Sequence, residues 1–126
     1  MTDEEISKLQ EEALVRHAIL DGLRVEYERV QRIRDVVATL ADRAKDVWDQ
    51  LANDYLRRAC NSEKLDPLDL FMEAAKVRDA KAKWQRLEDI DNIWYGRMGN
   101  ASRACTVERD IVQAALVRLA DLEEGK

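Results

Sequence analysis

Histidine occurs once in this chain, and that alone removes most side-chain chemistry. His17 lies in Ala13-Leu14-Val15-Arg16-His17-Ala18-Ile19-Leu20, an apolar stretch of a helical pattern. A general base needs a positioned nucleophile and an orienting partner, and neither is recognisable around it. A di-iron helical bundle asks for a Glu-x-x-His pair from each of two helices, which one histidine cannot supply. Cys60 and Cys105 are too few and too far apart for a zinc site or a disulfide framework. They read as free thiols, with a cytoplasmic setting as the default.

Carboxylates are the remaining candidates for chemistry. Glu88-x-x-Asp91 places two on one helical face, and Asp42, Asp46 and Asp49 do likewise. Clustered carboxylates on facing helices hold Mg²⁺ in all-α nucleotide pyrophosphatases, a further alternative function. The Glu-Glu-x-x-Glu element of those enzymes is absent: Glu4-Glu5 leads to Lys8, and Glu11-Glu12 to Val15. Acids on amphipathic helices otherwise form the solvated face, so the expectation is a protein without catalytic residues, metal, cofactor or small-molecule substrate. The densest basic segment holds Lys76, Arg78, Lys81, Lys83 and Arg86 against the single acid Asp79. Phosphate contacts dominate nucleic-acid affinity, so these five are the candidate DNA contacts. At 100° per residue Lys76 and Lys83 coincide, with Arg86 near them, while Arg78 and Lys81 point elsewhere. That spread suits a solvated face equally well, and Trp84 is expected in the core.

The elements that must carry these residues are helices. The 126 residues fit one domain, and with 37% charged residues, 4 Gly and 1 Pro they leave little room for the turns of a β-protein. The net charge of −5 and the acidic start Met1-Thr2-Asp3-Glu4-Glu5 are unlike a basic signal peptide, and no run approaches a membrane span. Thr2 with Glu5 forms a capping box. From Ile6 onward, steps of three and four connect Ile6, Leu9, Leu20, Leu23, Tyr27, Val30, Val37, Trp48, Leu51 and Tyr55, with Ala13, Ala41 and Ala44 between them. Only Arg16 and Arg34 interrupt the row with charge. A seven-residue repeat of this length signals helices packed along their axes, and Ile19, Ile33, Leu40 and Val47 widen the stripe beyond a two-stranded seam. A helix this long measures about 80 Å at 1.5 Å per residue. The rest of the chain covers about half of it, so the ten-residue row is the expected interface of a homo-oligomer, dimer or larger. Arg16 and Arg34 would need acidic partners across that interface. Residues 1–28 hold eight acids and three bases, and residues 29–62 five acids and seven bases, which suits antiparallel or staggered contacts between protomers.

Residues 61–65, Asn-Ser-Glu-Lys-Leu, read as a loop, and Asp66-Pro67 as an N-cap with proline in the first turn. The second helix is predicted to end at Gly96-Arg97-Met98-Gly99-Asn100, where glycines can close it. A third begins near Ser102 or Thr106, and residues 121–126 form a fraying tail. No repeat of 20–50 residues is read. The predicted fold is an elongated, coiled-coil-like helical bundle, one domain over 1–126, with three principal helices near 3–60, 66–96 and 102–123. Gly22 permits a break in the first without requiring one.

Two family resemblances attach to these motifs. Trp94-Tyr95-Gly96 resembles the Trp-x-Gly turn of the small helical hairpins exported by type VII secretion, although it lies far from mid-chain and no tyrosine follows Tyr95. Residues 44–122 are similar in layout to phage small terminase subunits. The matching parts are a Trp-bearing helix (Val47-Trp48-Asp49-Gln50-Leu51), an Asp-initiated helix from Leu65-Asp66-Pro67, a Gly-containing turn at Gly96–Asn100, and a closing helix through Val107 to Leu119. The Asn-Pro step common in that family is missing, and no helix-turn-helix is evident. The resemblance implies a DNA-recognition component of a viral packaging machine, in the host cytoplasm. The main expectation is broader: a non-catalytic helical assembly protein of phage type, acting by oligomerisation and by binding a protein partner, with no membrane association.

Overall fold

The computed structural model describes residues 2–61 and 66–125, and among these the chain forms two helices and no strand. α1 spans Asp3–Asn61 and α2 spans Pro67–Glu124. The all-α class stands, but the three-helix arrangement is corrected to two. Of the expected loop, Asn61 closes α1, and residues 62–65 lie outside the described residues.

Both helix starts are built as their sequences dictate. The Thr2 amide donates to Glu5 Oε2 at 3.2 Å while the Glu5 amide donates to Thr2 Oγ1 at 3.3 Å, the reciprocal pair of a capping box. Asp66 caps α2 by accepting from the Leu68 amide at 3.1 Å, ahead of Pro67, whose missing N–H costs nothing in the first turn.

The expected turn at Gly96–Asn100 is helix, and so is the stretch through Gly22. No residue among those described, glycine included, has a positive φ. Thr106, expected as a cap, donates its hydroxyl to the Ser102 carbonyl one turn back, an interior helical bond. Residues 121–124, expected to fray, belong to α2, and the Gly125 amide donates to the Asp121 carbonyl at 3.0 Å. Two glycines cost a helix roughly 2 kcal/mol. Against that, Trp94, Met98, Ala101 and Cys105 are all partly buried at three-four spacing straight through the glycines. Burying large apolar side chains returns roughly 1.5–3 kcal/mol each, so continuing the helix wins.

The chain divides into two compact units. One is Met1–Arg32 with Gly96–Lys126, the other Ile33–Tyr95. Each is an antiparallel helix pair. In the first, Arg16 of α1 meets Glu108 of α2; in the second, Arg58 meets Glu73 near the connection and Arg34 meets Asp91 at the other end.

Candidate assembly interface

The row from Ile6 to Tyr55 is the face that α1 turns to α2. Ile6, Leu20 and Val30 are buried, and Leu9, Leu23, Tyr27, Val37, Trp48, Leu51 and Tyr55 are partly buried. All ten residues expected at the interface between protomers thus lie along the seam inside the units. The complementary row of α2 runs Leu70, Glu73, Val77, Ala80, Trp84, Leu87, Asp91, Trp94, Met98, Ala101, Cys105, Glu108, Val112, Ala115, Leu119 and Leu122, without a break in its three-four spacing.

Arg16 and Arg34 occupy seam positions, as their place in the row requires, and find their acids in the same chain. Arg16 Nη1 lies 3.4 and 3.5 Å from the two carboxylate oxygens of Glu108, the one buried charged residue among those described. Arg34 Nε stands 3.2 Å from Asp91 Oδ1, both atoms enclosed, close enough for an ion pair but not aligned as a hydrogen bond. Its guanidinium also lies 5.5 Å from the Tyr95 ring centroid, within cation–π range. Asp91 thus faces Arg34, while Glu88, one turn before it, is exposed. Among the described residues no group of three or more His, Cys, Asp or Glu side chains is placed to hold a metal ion.

Between those charges in Ile33–Tyr95 sits an aromatic pair. Trp48 and Trp84 stack with ring centroids 5.0 Å apart and planes 14° from parallel. Lys45 Nζ covers Trp84 at 5.9 Å, and Lys81 Nζ covers Trp48 at 5.6 Å. Ala44-Lys45-x-x-Trp48-x-x-Leu51 on α1 is matched at four positions by Ala80-Lys81-x-x-Trp84-x-x-Leu87 on α2, too short a likeness to make an internal repeat. The small alanines leave room for two indoles on an antiparallel pair.

The five candidate DNA contacts are all exposed but divided in role. Lys81 lies over Trp48 and Arg78 shares its side of α2, while Lys76, which approaches Glu73 at 3.7 Å, Lys83, which edges an apolar groove, and Arg86 lie on the other side.

What distinguishes the surface is its sidedness. With Ile6 taken as position a of a heptad, the d side of the seam is flanked by positions g and c, and the a side by e and b. In Ile33–Tyr95 the d side presents Val36, Leu40 and Val47 on α1 and Ile90 and Ile93 on α2, 42–60% exposed. In the other unit it presents Val15, Ile19, Val107 and Ile111. The a side is more mixed: His17, Asp21, Arg24 and Arg109 in one unit and Asp42, Lys45, Lys81 and Glu88 in the other, with exposed Leu14 and Leu116 in the first and Leu56, Phe71 and Tyr95 in the second. Of the residues that widen the stripe, Ile33 is partly buried, while Ile19 in one unit and Leu40 and Val47 in the other are left exposed on the d side. Grooves follow from it: one lined by Leu40, Ala44, Val47, Ala80 and Leu87 between Arg43 and Lys83, another with Leu9, Val15, Ile111 and Ala115 among its walls. Among the described residues no helix is long and apolar enough to cross a membrane. No family model, curated protein or solved structure matches this chain.

Proposed function

We propose that the protein is a non-catalytic helical assembly module, working by self-association and by docking helical protein partners on the d side of its helix pairs. The observation that carries this reading is that each unit leaves apolar side chains uncovered on its d side: Val36, Leu40, Val47, Ile90 and Ile93 in Ile33–Tyr95, and Val15, Ile19, Val107 and Ile111 in the other. Contiguous apolar surface beyond a few hundred Å² is rare on soluble monomers. Covering side chains already half in contact returns on the order of 1 kcal/mol each, the driving force against which the cost of association must be set. Lys76, Lys83 and Arg86 share one side of α2 while Arg78 and Lys81 lie on the other, and Lys76 is drawn to Glu73 and Lys81 to Trp48, which favours a protein partner over a terminase-like grip on DNA. Light scattering after gel filtration tests the reading. A mass of two or more copies is expected at micromolar concentration, and a stable 14.6 kDa monomer would overturn self-association.

A further inference from the structure

We propose that the protein binds a phosphate group, free or as the monoester end of a small molecule, in a cleft on the a side of Met1–Arg32 with Gly96–Lys126. The site shares no residue with the exposed d side, so it does not depend on self-association. The cleft, about 240 Å³, lies over buried Leu20 and partly buried Tyr27 and Cys105. Arg24 edges it from α1, and Ser102, Thr106 and Arg109 edge it from α2. No carboxylate lines it, although the chain as a whole carries a net charge of −5. The helix pair turns its two cations towards each other. Glu108 meets Arg16, so Arg109 stands about two turns along the pair from Arg24. Long side chains on a helix lean towards its N-terminus, and these helices run antiparallel. Arg24 therefore leans to the level of Leu20 and Arg109 to that of Cys105, from the two ends of one cleft. Among the described residues Arg109 has no ion-pair partner. Arg24 has a long contact, 3.8 Å, with Asp21, whose other carboxylate oxygen lies 3.4 Å from His17 Nδ1. The Thr106 hydroxyl donates to the Ser102 carbonyl, which leaves the guanidinium groups and the Ser102 hydroxyl to supply donors. Two planar cations facing each other across a cleft without acids suit the charge and the several acceptor oxygens of a phosphate dianion.

Backbone NMR of the native chain, titrated with inorganic phosphate at low ionic strength, tests the site. Saturable shifts are expected in the amides of residues 20–27 and 102–109, with a dissociation constant of about 1 mM or tighter. Arg24→Gln and Arg109→Gln are each expected to weaken binding at least about tenfold, because each removes a charge-assisted donor. Asp21→Asn releases Arg24 from its acid and is expected to tighten binding about threefold. Arg103→Gln, outside the cleft and bonded to Asn100, is expected to leave it unchanged. All four positions are exposed, and circular dichroism of each variant checks that the helices persist. Phenyl phosphate separates the two sources: binding at least as tight as that of inorganic phosphate marks a monoester ligand, and weaker binding marks free phosphate. The same shifts from sodium chloride at matched ionic strength would overturn the site. So would the absence of saturation by about 10 mM phosphate, or native affinity retained in both Arg24→Gln and Arg109→Gln.

Discussion

Seven of the nine buried residues among those described belong to the unit of Met1–Arg32 with Gly96–Lys126, and all but Glu108 are aliphatic or alanine; Ile33–Tyr95 buries only Ala41 and Ala44. Yet Ile33–Tyr95 holds the larger seam residues. Two helices cannot enclose an indole, so Trp48 and Trp84 stay half-buried and stack on each other, with alanines beside them and lysines above. The aliphatic seam closes more completely with smaller residues. Each unit also carries one seam ion pair, and the two pairs are differently exposed. Arg16 keeps 48% of its side chain in water while Glu108 keeps 9%; for Arg34 and Asp91 the values are 31% and 15%. A seam of either kind thus tolerates a charge when the long guanidinium reaches outward and the short carboxylate stays in.

That contrast predicts an asymmetric response to truncation, the largest effect expected here. Arg16→Met strands a buried carboxylate and should cost about 2–3 kcal/mol, below the range for a fully enclosed pair because water reaches the site. Glu108→Leu lets Arg16 turn to solvent and should cost less than about 1 kcal/mol. In Ile33–Tyr95 both Arg34→Met and Asp91→Leu strand a partner, and each should cost about 2 kcal/mol. Urea midpoints of the four variants measure this. Equal losses from Arg16→Met and Glu108→Leu would break the comparison. The pairs also fix register. Sliding α2 by one heptad would set Arg34 against Trp84 or Met98 and Arg16 against Ala101 or Ala115, with no acid for either.

Much of this was legible in the sequence. The three-four row marks the seam of α1 from Ile6 to Tyr55, and the need of Arg16 and Arg34 for buried acids follows from their places in it. Thr2 with Glu5, and Asp66 with Pro67, mark the helix starts. The exception is Gly96-Arg97-Met98-Gly99-Asn100, where two glycines outweigh the pattern if only large apolar residues are counted. Counting Ala80, Asp91, Met98, Ala101, Cys105 and Glu108 as seam positions carries the heptad across. Polar and small residues hide a seam because the reason for each sits on the opposite helix. The acids that answer Arg16 and Arg34 lie 92 and 57 residues downstream, so their pairing appears only once the register is known.

A smaller effect tests the continuity on which that register depends. Gly96 belongs to an α-helix with ordinary backbone angles, and a Cβ there would meet nothing within 4 Å. Gly96→Ala should stabilise the protein by about 0.5–1 kcal/mol through helix propensity and the narrower unfolded ensemble. Gly22→Ala, equally open, should do the same. Were Gly96 closing a helix in the left-handed conformation, alanine would destabilise instead, so the sign of the change in thermal midpoint decides between one helix and two.

The smallest effect separates seam charges from surface ones. Glu26 and Arg29 form a fork on α1: Arg29 Nε donates to Oε2 at 3.0 Å and Nη2 to Oε1 at 2.6 Å. Those hydrogen bonds, with the cation's charge, hold the Glu26 carboxyl below its ordinary range and raise the Arg29 guanidinium above its own. A carboxylate whose folded pKa lies below its unfolded value contributes stability above the unfolded pKa and loses it as pH falls through the folded one. Here both side chains stay about half in water, so solvent screens the pair and holding two long side chains in one geometry offsets what remains. Arg29→Ala should therefore return the Glu26 titration, followed by side-chain carboxyl NMR, to the ordinary range while leaving the urea midpoint at neutral pH unchanged. Arg16→Met, one charge removed in the same unit, should shift that midpoint clearly. Equal shifts from the two variants would mean that the heptad position of an arginine decides nothing, and that the buried carboxylate of Glu108 is no more dependent on its partner than an exposed one.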